Sequence, residues 1–202
     1  MKIHKLHVLL PLLLLSLILM TCTNLDETPL SAVTPENFYK TEAELVSAVM
    51  PVYANLRDYS WGDYMFLQEH TSDEIFVPQR GGDWGDGGFW REMHDHKWTP
   101  THGSVGGAWV SAYRGIAYSN SVLDNLQSSP SQSPLKPVFT AEVRVLRAFY
   151  YWWLVDMYGG VPIVTTPTID PKNPPTPNTR QEGFNFIVKE KLEQVGLSNI
   201  EN

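Results

Sequence analysis

Residues 142–163, EVRVLRAFYYWWLVDMYGGVPI, constrain the fold more than any other part of the chain. Ala148 to Val155 carry no charge, and five of those eight residues are aromatic. A bilayer span needs ~20 consecutive apolar residues, so the run is too short to cross a membrane. At helical period, Leu146, Phe149, Tyr150, Trp153 and Met157 share one stripe, and Thr140, Arg144, Arg147 and Tyr151 share another. Gly159–Gly160 then offer a position that tolerates positive φ, and Pro162 forbids continuation. A helix with so little polar surface has to be buried against more than one neighbour. The run predicts a core helix of a mainly α protein.

The first 21 residues differ in kind. Lys2 and Lys5 precede an apolar run from Val8 to Met20, and Thr21 and Cys22 follow. A basic start, a short apolar core and a small residue at its end are the parts of an export signal. Cys22 is the one cysteine of the chain, so no internal disulfide forms. LMTC resembles a lipobox, in which the cysteine is lipidated and becomes the mature N-terminus. Two or more acyl chains, at ~0.8 kcal/mol per buried CH₂, make such anchoring stable. Residues 1–21 are therefore expected to be a signal peptide and residues 22–33 a lipidated tether. Loss of Lys2 and Lys5 reduces the 15 basic side chains to 13, against 22 acidic ones. That balance does not suit nucleic acid or anionic lipid as a direct partner, and neutral or weakly charged ligands fit better.

From residue 34 the chain reads as helices joined by loops. Thr34–Pro35–Glu36 is a helix start, and Thr41 with Glu44 makes a capping box for another. Leu45, Val46, Val49 and Tyr53 are expected on one apolar face, with Pro51 kinking or dividing that helix. A further helix is predicted over 106–126, with Trp109, Tyr113, Ile116 and Leu123 on one stripe. The Ser/Pro-rich loop SSPSQSPLKP follows, and the aromatic helix is expected to begin near Thr140. After Pro162 the chain turns extended and proline-rich. Thr179 and Glu182 then cap a last helix carrying Phe184, Ile187, Val188 and Val195. The fold class is mainly α, with tetratricopeptide-like helical hairpins and long irregular loops.

Between Trp61 and Gly107 the composition shifts. Trp61, Trp84, Trp90 and Trp98 lie here with His70, His94, His96 and His102, around the core PQRGGDWGDGGFWREMHDHKW. Five glycines in eight residues do not build a stable helix, and a long loop of this kind is more often functional than incidental. Three chemistries compete for it. Flat C–H faces of sugars pack on aromatic rings, while hydroxyl pairs suit Asp and Arg; Trp84, Trp90 and Trp98 beside Arg80, Asp83, Asp86 and Arg91 supply both. The same tryptophans would equally serve to anchor an irregular loop on the helices. A metal is the second option: His94 and His96 would point to one side of a strand, with His102 nearby, but no HExxH or second cysteine accompanies them. The third is glycoside hydrolysis, for which Asp73–Glu74 and Asp83/Asp86 are the available carboxylates. No GxSxG, phosphate loop or Rossmann fingerprint is present, and no cofactor is implied.

Taken together, these motifs resemble the SusD/RagB family of lipoproteins. In the aromatic helix, Glu142, Arg144, Leu146, Arg147, Ala148, Tyr151, Leu154, Asp156, Gly159, Val161 and Pro162 match its most recurrent signature. CTNLDETP resembles the family's start after the cysteine, and TPENFYKTEAEL its first helix. TSDE at Thr71–Glu74, the spacing of Trp109, Tyr113, Ile116 and Asn120, and TRQEGFNFIVKEKLE follow in family order. The resemblance implies a non-catalytic binding lipoprotein on a Bacteroidetes outer membrane. Such a protein sits as a lid on a TonB-dependent SusC-like transporter and hands over glycans or other nutrients. It further implies that loops projecting from the helices form the ligand site and that the aromatic helix is scaffold. On this basis Arg80, Asp83, Trp84, Asp86, Trp90 and Trp98 are the candidate ligand residues. Family chains are far longer, so residues 34–202 are expected to be the N-terminal part of a SusD-like domain.

Overall fold

The computed structural model describes residues 38–78, 80–82 and 85–194. Cys22, the export signal, the tether, the Thr34–Pro35 helix start, Asp83, Trp84 and Val195 lie outside the described residues. Helices dominate: α1 (Glu42–Ala54), α2 (Arg57–Ser60), α3 (Asp63–His70), α4 (Phe89–His94), α5 (Gly103–Ser128), α6 (Leu135–Tyr158) and α7 (Arg180–Gln194). No strand occurs among the described residues. None of these helices is long and apolar enough to cross a membrane.

The frame is a pair of long helices, α5 and α6, with α7 packed on α6, α3 on α5, and α1 against both long helices. The aromatic run lies inside it. Tyr150, Tyr151, Trp153 and Leu154 are fully buried, and Tyr150 Oη donates 2.6 Å to the Val52 carbonyl of α1. Close approach of α5 is possible because Gly115 faces the Tyr150 ring; a Cβ there would stand 2.3 Å from Tyr150 Cζ. Gly159, at φ +75°, ends α6 where a side chain would be strained.

The second stripe of α6 faces α7 and the chain after Pro162. Glu190 of α7 receives Arg147 through Nε and Nη2 at 3.0 and 2.7 Å, and Arg144 through Nε and Nη2 at 3.1 and 2.8 Å. Arg147 Nη1 donates 2.8 Å to Asn120 Oδ1 of α5. Asn120 Nδ2 in turn donates to the Val164 and Thr166 carbonyls, and Tyr113 Oη to that of Pro162. Polar side chains of α5, backed by Arg147 of α6 and Glu190 of α7, thus pin the extended segment without any sheet. The excursion that follows closes on itself, because Asn178 bonds back to Val161 and Ile163.

Several local expectations change. Helix α1 runs through Pro51 undivided; Pro51 and Ser47, whose carbonyl loses its partner, both lie on the exposed side of the helix rather than in the core. Its buried face is Leu45, Ala48, Val49 and Val52, while Val46 and Tyr53 are exposed. Helices α5 and α6 begin three and five residues earlier than predicted. His102 caps α5, and α6 starts on hydrogen bonds from the serine-rich loop. Phe184 is exposed, and α7 packs instead through Gly183, Ile187 and Glu190. The Thr41–Glu44 and Thr179–Glu182 boxes form as read, and the amide hydrogen bonds each glutamate receives hold its carboxyl below the usual carboxylate range.

Candidate functional site

The segment from Trp61 to Gly107 is less irregular than its glycines suggest. It contains α3, a 3₁₀ turn (Asp86–Gly88), α4 and the start of α5. Glycine is needed where the turn passes into α4: Gly87 and Gly88 sit at φ +65° and +94°. That reversal brings Trp90 back over Asp86, and Trp90 Nε1 donates 2.7 Å to Asp86 Oδ2. The result is a cavity of about 400 Å³ lined by Gly81, Gly82, Gly85, Gly87 and Gly88 together with Val77, Asp86, Trp90 and Arg91.

Trp90 is also seated in the protein. Its ring meets Phe66 and Phe89 edge-on at 5.1 and 5.0 Å, and leans on His70 at 4.9 Å. His70 is 3% exposed, and its Nδ1 is buried without a partner. Burial holds its pKa below the ordinary histidine value; a hydrogen bond with the Ile75 backbone opposes this, and the nearby His94 adds to it.

The candidate residues do not all converge. Asp86 and Trp90 meet in the cavity, joined by Arg91. Arg80 is exposed nearby in the chain but does not line the cavity. Trp98 stands elsewhere, 38% exposed and edge-on to His96, whose Nε2 pairs with the Thr71 carbonyl at 2.7 Å. Trp61, left out of the predicted set, is 74% exposed beside Phe66. A tryptophan followed by Gly62 between two short helices was the available signal for a projecting ring.

The histidines divide among separate tasks rather than sharing a strand. His94 ends α4 against Phe76, and His96 adopts φ +55°. His102 accepts the Ser104 N–H at Nδ1 as the cap of α5, and its Nε2 faces the Phe89 carbonyl of α4 at 3.2 Å, so both ring nitrogens are engaged. No cluster of three or more His, Cys, Asp or Glu suited to a metal occurs among the described residues. Asp86 is the single carboxylate among the described residues lining the cavity, and it is engaged by Trp90. Glu69 and Glu74 do pair, and their shared hydrogen bond raises the Glu69 pKa, but they lie at the surface outside the cavity.

Comparison with known proteins covers most of the chain. Residues 24–192 match a SusD-like family model described as starch-binding and associating with the outer membrane. "SusD-like protein P2" of Formosa agariphila is 28% identical over 153 residues, 75% of this chain and 30% of that protein. A "SusD-like protein" of Bacteroides ovatus is 24% identical over 197 residues, 94% of this chain and 34% of the relative. Among solved structures, a "Laminarin binding SusD-like protein" superposes with a TM-score of 0.67 at 27% identity, covering 79% of this chain and 34% of its own. "Surface glycan-binding protein A" of Bacteroides uniformis shares the fold, with a TM-score of 0.64 at 20% identity, over 77% of this chain and 34% of its own. The chain spans about a third of the length of these relatives.

Proposed function

As the chain belongs to the SusD-like family, we propose that it is a non-catalytic, glycan-binding lipoprotein of the outer-membrane surface that delivers its ligand to a TonB-dependent SusC-like transporter. On this reading residues 1–21 direct export, Cys22 carries the lipid, residues 22–33 are the tether, and residues 34–202 are the N-terminal part of a SusD-like domain. The observation that carries the binding function is the cavity at the turn into α4. It sets an indole ring beside a carboxylate and a guanidinium, together with five glycines of the loop. An aromatic face and hydroxyl-binding groups in one cleft suit a neutral saccharide. Among the described residues lining the cavity the one carboxylate, Asp86, is engaged by Trp90, which suits binding better than hydrolysis, which commonly uses two.

Native affinity electrophoresis of residues 23–202 through gels containing laminarin, starch and other neutral polysaccharides tests this. At least one polymer should retard the protein. Trp90→Ala should weaken that retardation roughly tenfold, about 1.4 kcal/mol. Gly82→Val is the companion variant, because Gly82 lines the cavity with nothing within 4 Å of an added Cβ and no positive φ. Unchanged mobility of the folded protein in every gel would remove the glycan site from this part of the chain.

A second reading, in which this part serves to dock on the transporter without its own ligand, is favoured by one observation. Val46, Met50 and Tyr53 on α1, and Val138, Val145 and Trp152 on α6, form helical stripes each more than a third exposed. Tyr53 Oη donates 3.4 Å to Glu142 Oε2 between them. Co-purification with the transporter that survives Trp90→Ala but not Met50→Asp would select this reading.

A further inference from the structure

Trp90 is the aromatic wall of the cavity, and what stands behind it is a titratable ring. The inference concerns that seat and rests on the glycan-binding reading for its functional meaning. His70 ends α3, 3% exposed, with Nδ1 buried and unpartnered. Its ring centroid lies 4.9 Å from that of Trp90. On α4, one turn beyond Trp90, His94 also has a buried Nδ1 without a partner, and its ring packs on Phe76. A second proton on His70 would therefore place an N–H and a positive charge where no acceptor waits among the described residues. The charged groups around the pair are already engaged or of the same sign. Glu69 of α3 is bound to Glu74, Asp86 to Trp90, and Asp95, the carboxylate beside His94, to Lys97 at 3.0 Å, while Arg91 carries the same sign as the incoming proton.

We propose that His70 is a positioning residue for the ligand cavity, seating Trp90 while its imidazole is neutral and releasing it when His70 is protonated. Because the buried ring has a lower pKa than in the unfolded chain, its seat is intact above the ordinary histidine pKa. As pH falls through the depressed folded value, charging the ring costs the packing of His70 on Trp90, and the wall of the cavity loosens. The consequence is a site that holds its ligand at neutral pH and releases it under mild acid, with α5 and α6 still folded.

Nuclear magnetic resonance decides this without any ligand. The His70 ring and the Trp90 indole N–H, assigned by His70→Phe and Trp90→Phe, are followed from about pH 7.5 to pH 5, the span in which histidines titrate. The expected result is one shared transition below the ordinary histidine range. His70→Phe keeps an aromatic seat without a charge, and should abolish the Trp90 transition while leaving the thermal melt cooperative. His94→Gln should move the transition upward by removing the like charge. A Trp90 indole that stays unchanged while His70 titrates, or that shifts equally in His70→Phe, would overturn the proposal. The same pH series in a retarding polysaccharide gel adds the functional readout. Retardation should fade with the indole transition in the parent and persist in His70→Phe. Absence of retardation at every pH counts against the glycan reading alone, since the indole transition judges the positioning role independently.

Discussion

Glu190 shows how far a single carboxylate can organise this protein. Its side chain is 6% exposed, and each oxygen takes two hydrogen bonds from a different arginine of α6. Arg147, itself 8% exposed, spans from Glu190 to Asn120 and lies 5.9 Å from the Phe186 ring centroid. Burying charges is costly, so the arrangement holds only while every partner is present. Glu190→Gln leaves Arg147 buried without its counter-charge. The expected loss is about 3–5 kcal/mol, read as a lower urea midpoint at unchanged slope. The polar stripe of α6 was legible from spacing, and Arg144, Arg147 and Tyr151 were placed on it correctly. Their acceptor was not, because Glu190 lies more than forty residues away in sequence. Apart from Glu182, marked by its capping box, no local pattern tells which acidic residue of α7 would take that place.

At the scale of the element, the connection between α5 and α6 reads in sequence as a Ser/Pro-rich loop. In the structure its alternate serines form a ladder. The Oγ atoms of Ser129, Ser131 and Ser133 accept the N–H groups of Ser131, Ser133 and Leu135, at 3.1, 3.3 and 3.2 Å. The same hydroxyls donate to the Tyr39 carbonyl, the Lys40 carbonyl and Glu42 Oε1. A loop of low complexity thus becomes a strap across the N-terminus of α1. This also explains why α6 begins at Leu135, since the ladder delivers the chain into its first turn. Ser129→Ala removes a buried donor and acceptor together, and should cost about 1–3 kcal/mol. Hydrogen exchange at the Ser131 amide should accelerate with it. A Ser131 amide as protected as in the parent would mean that the strap does not depend on the ladder.

At the scale of the whole molecule, the spacing between α5 and α6 sets everything else, because α1, α3 and α7 all pack on one or both of them. Gly115 permits that spacing by admitting the Tyr150 ring. Gly115→Ala should force the helices apart at a cost of about 1–3 kcal/mol or more, visible as a lower Tm of the single transition. Gly106 is the internal control, being exposed in the same helix with nothing within 4 Å of an added Cβ. Gly106→Ala should be neutral or stabilising by up to about 1 kcal/mol. If both substitutions behave alike, helix propensity rather than the α5–α6 approach governs stability.

What the sequence determined by itself was whatever depends on near neighbours: helical periodicity, capping boxes, the glycine end of α6 and the family signature all operate within a few turns of chain. The candidate site was legible only in part and for the same reason. Asp86 and Trp90 lie four residues apart across a glycine turn, and they do meet. Trp98 is only eight residues from Trp90, yet the left-handed backbone at His96 and its bond to Thr71 place it elsewhere. The tertiary structure alone decided which aromatic rings face solvent, that Pro51 is tolerated where its helix meets water, and that His70 stands behind the cavity wall. Each of these depends on which distant surface a residue packs against, and spacing along the chain carries no record of that.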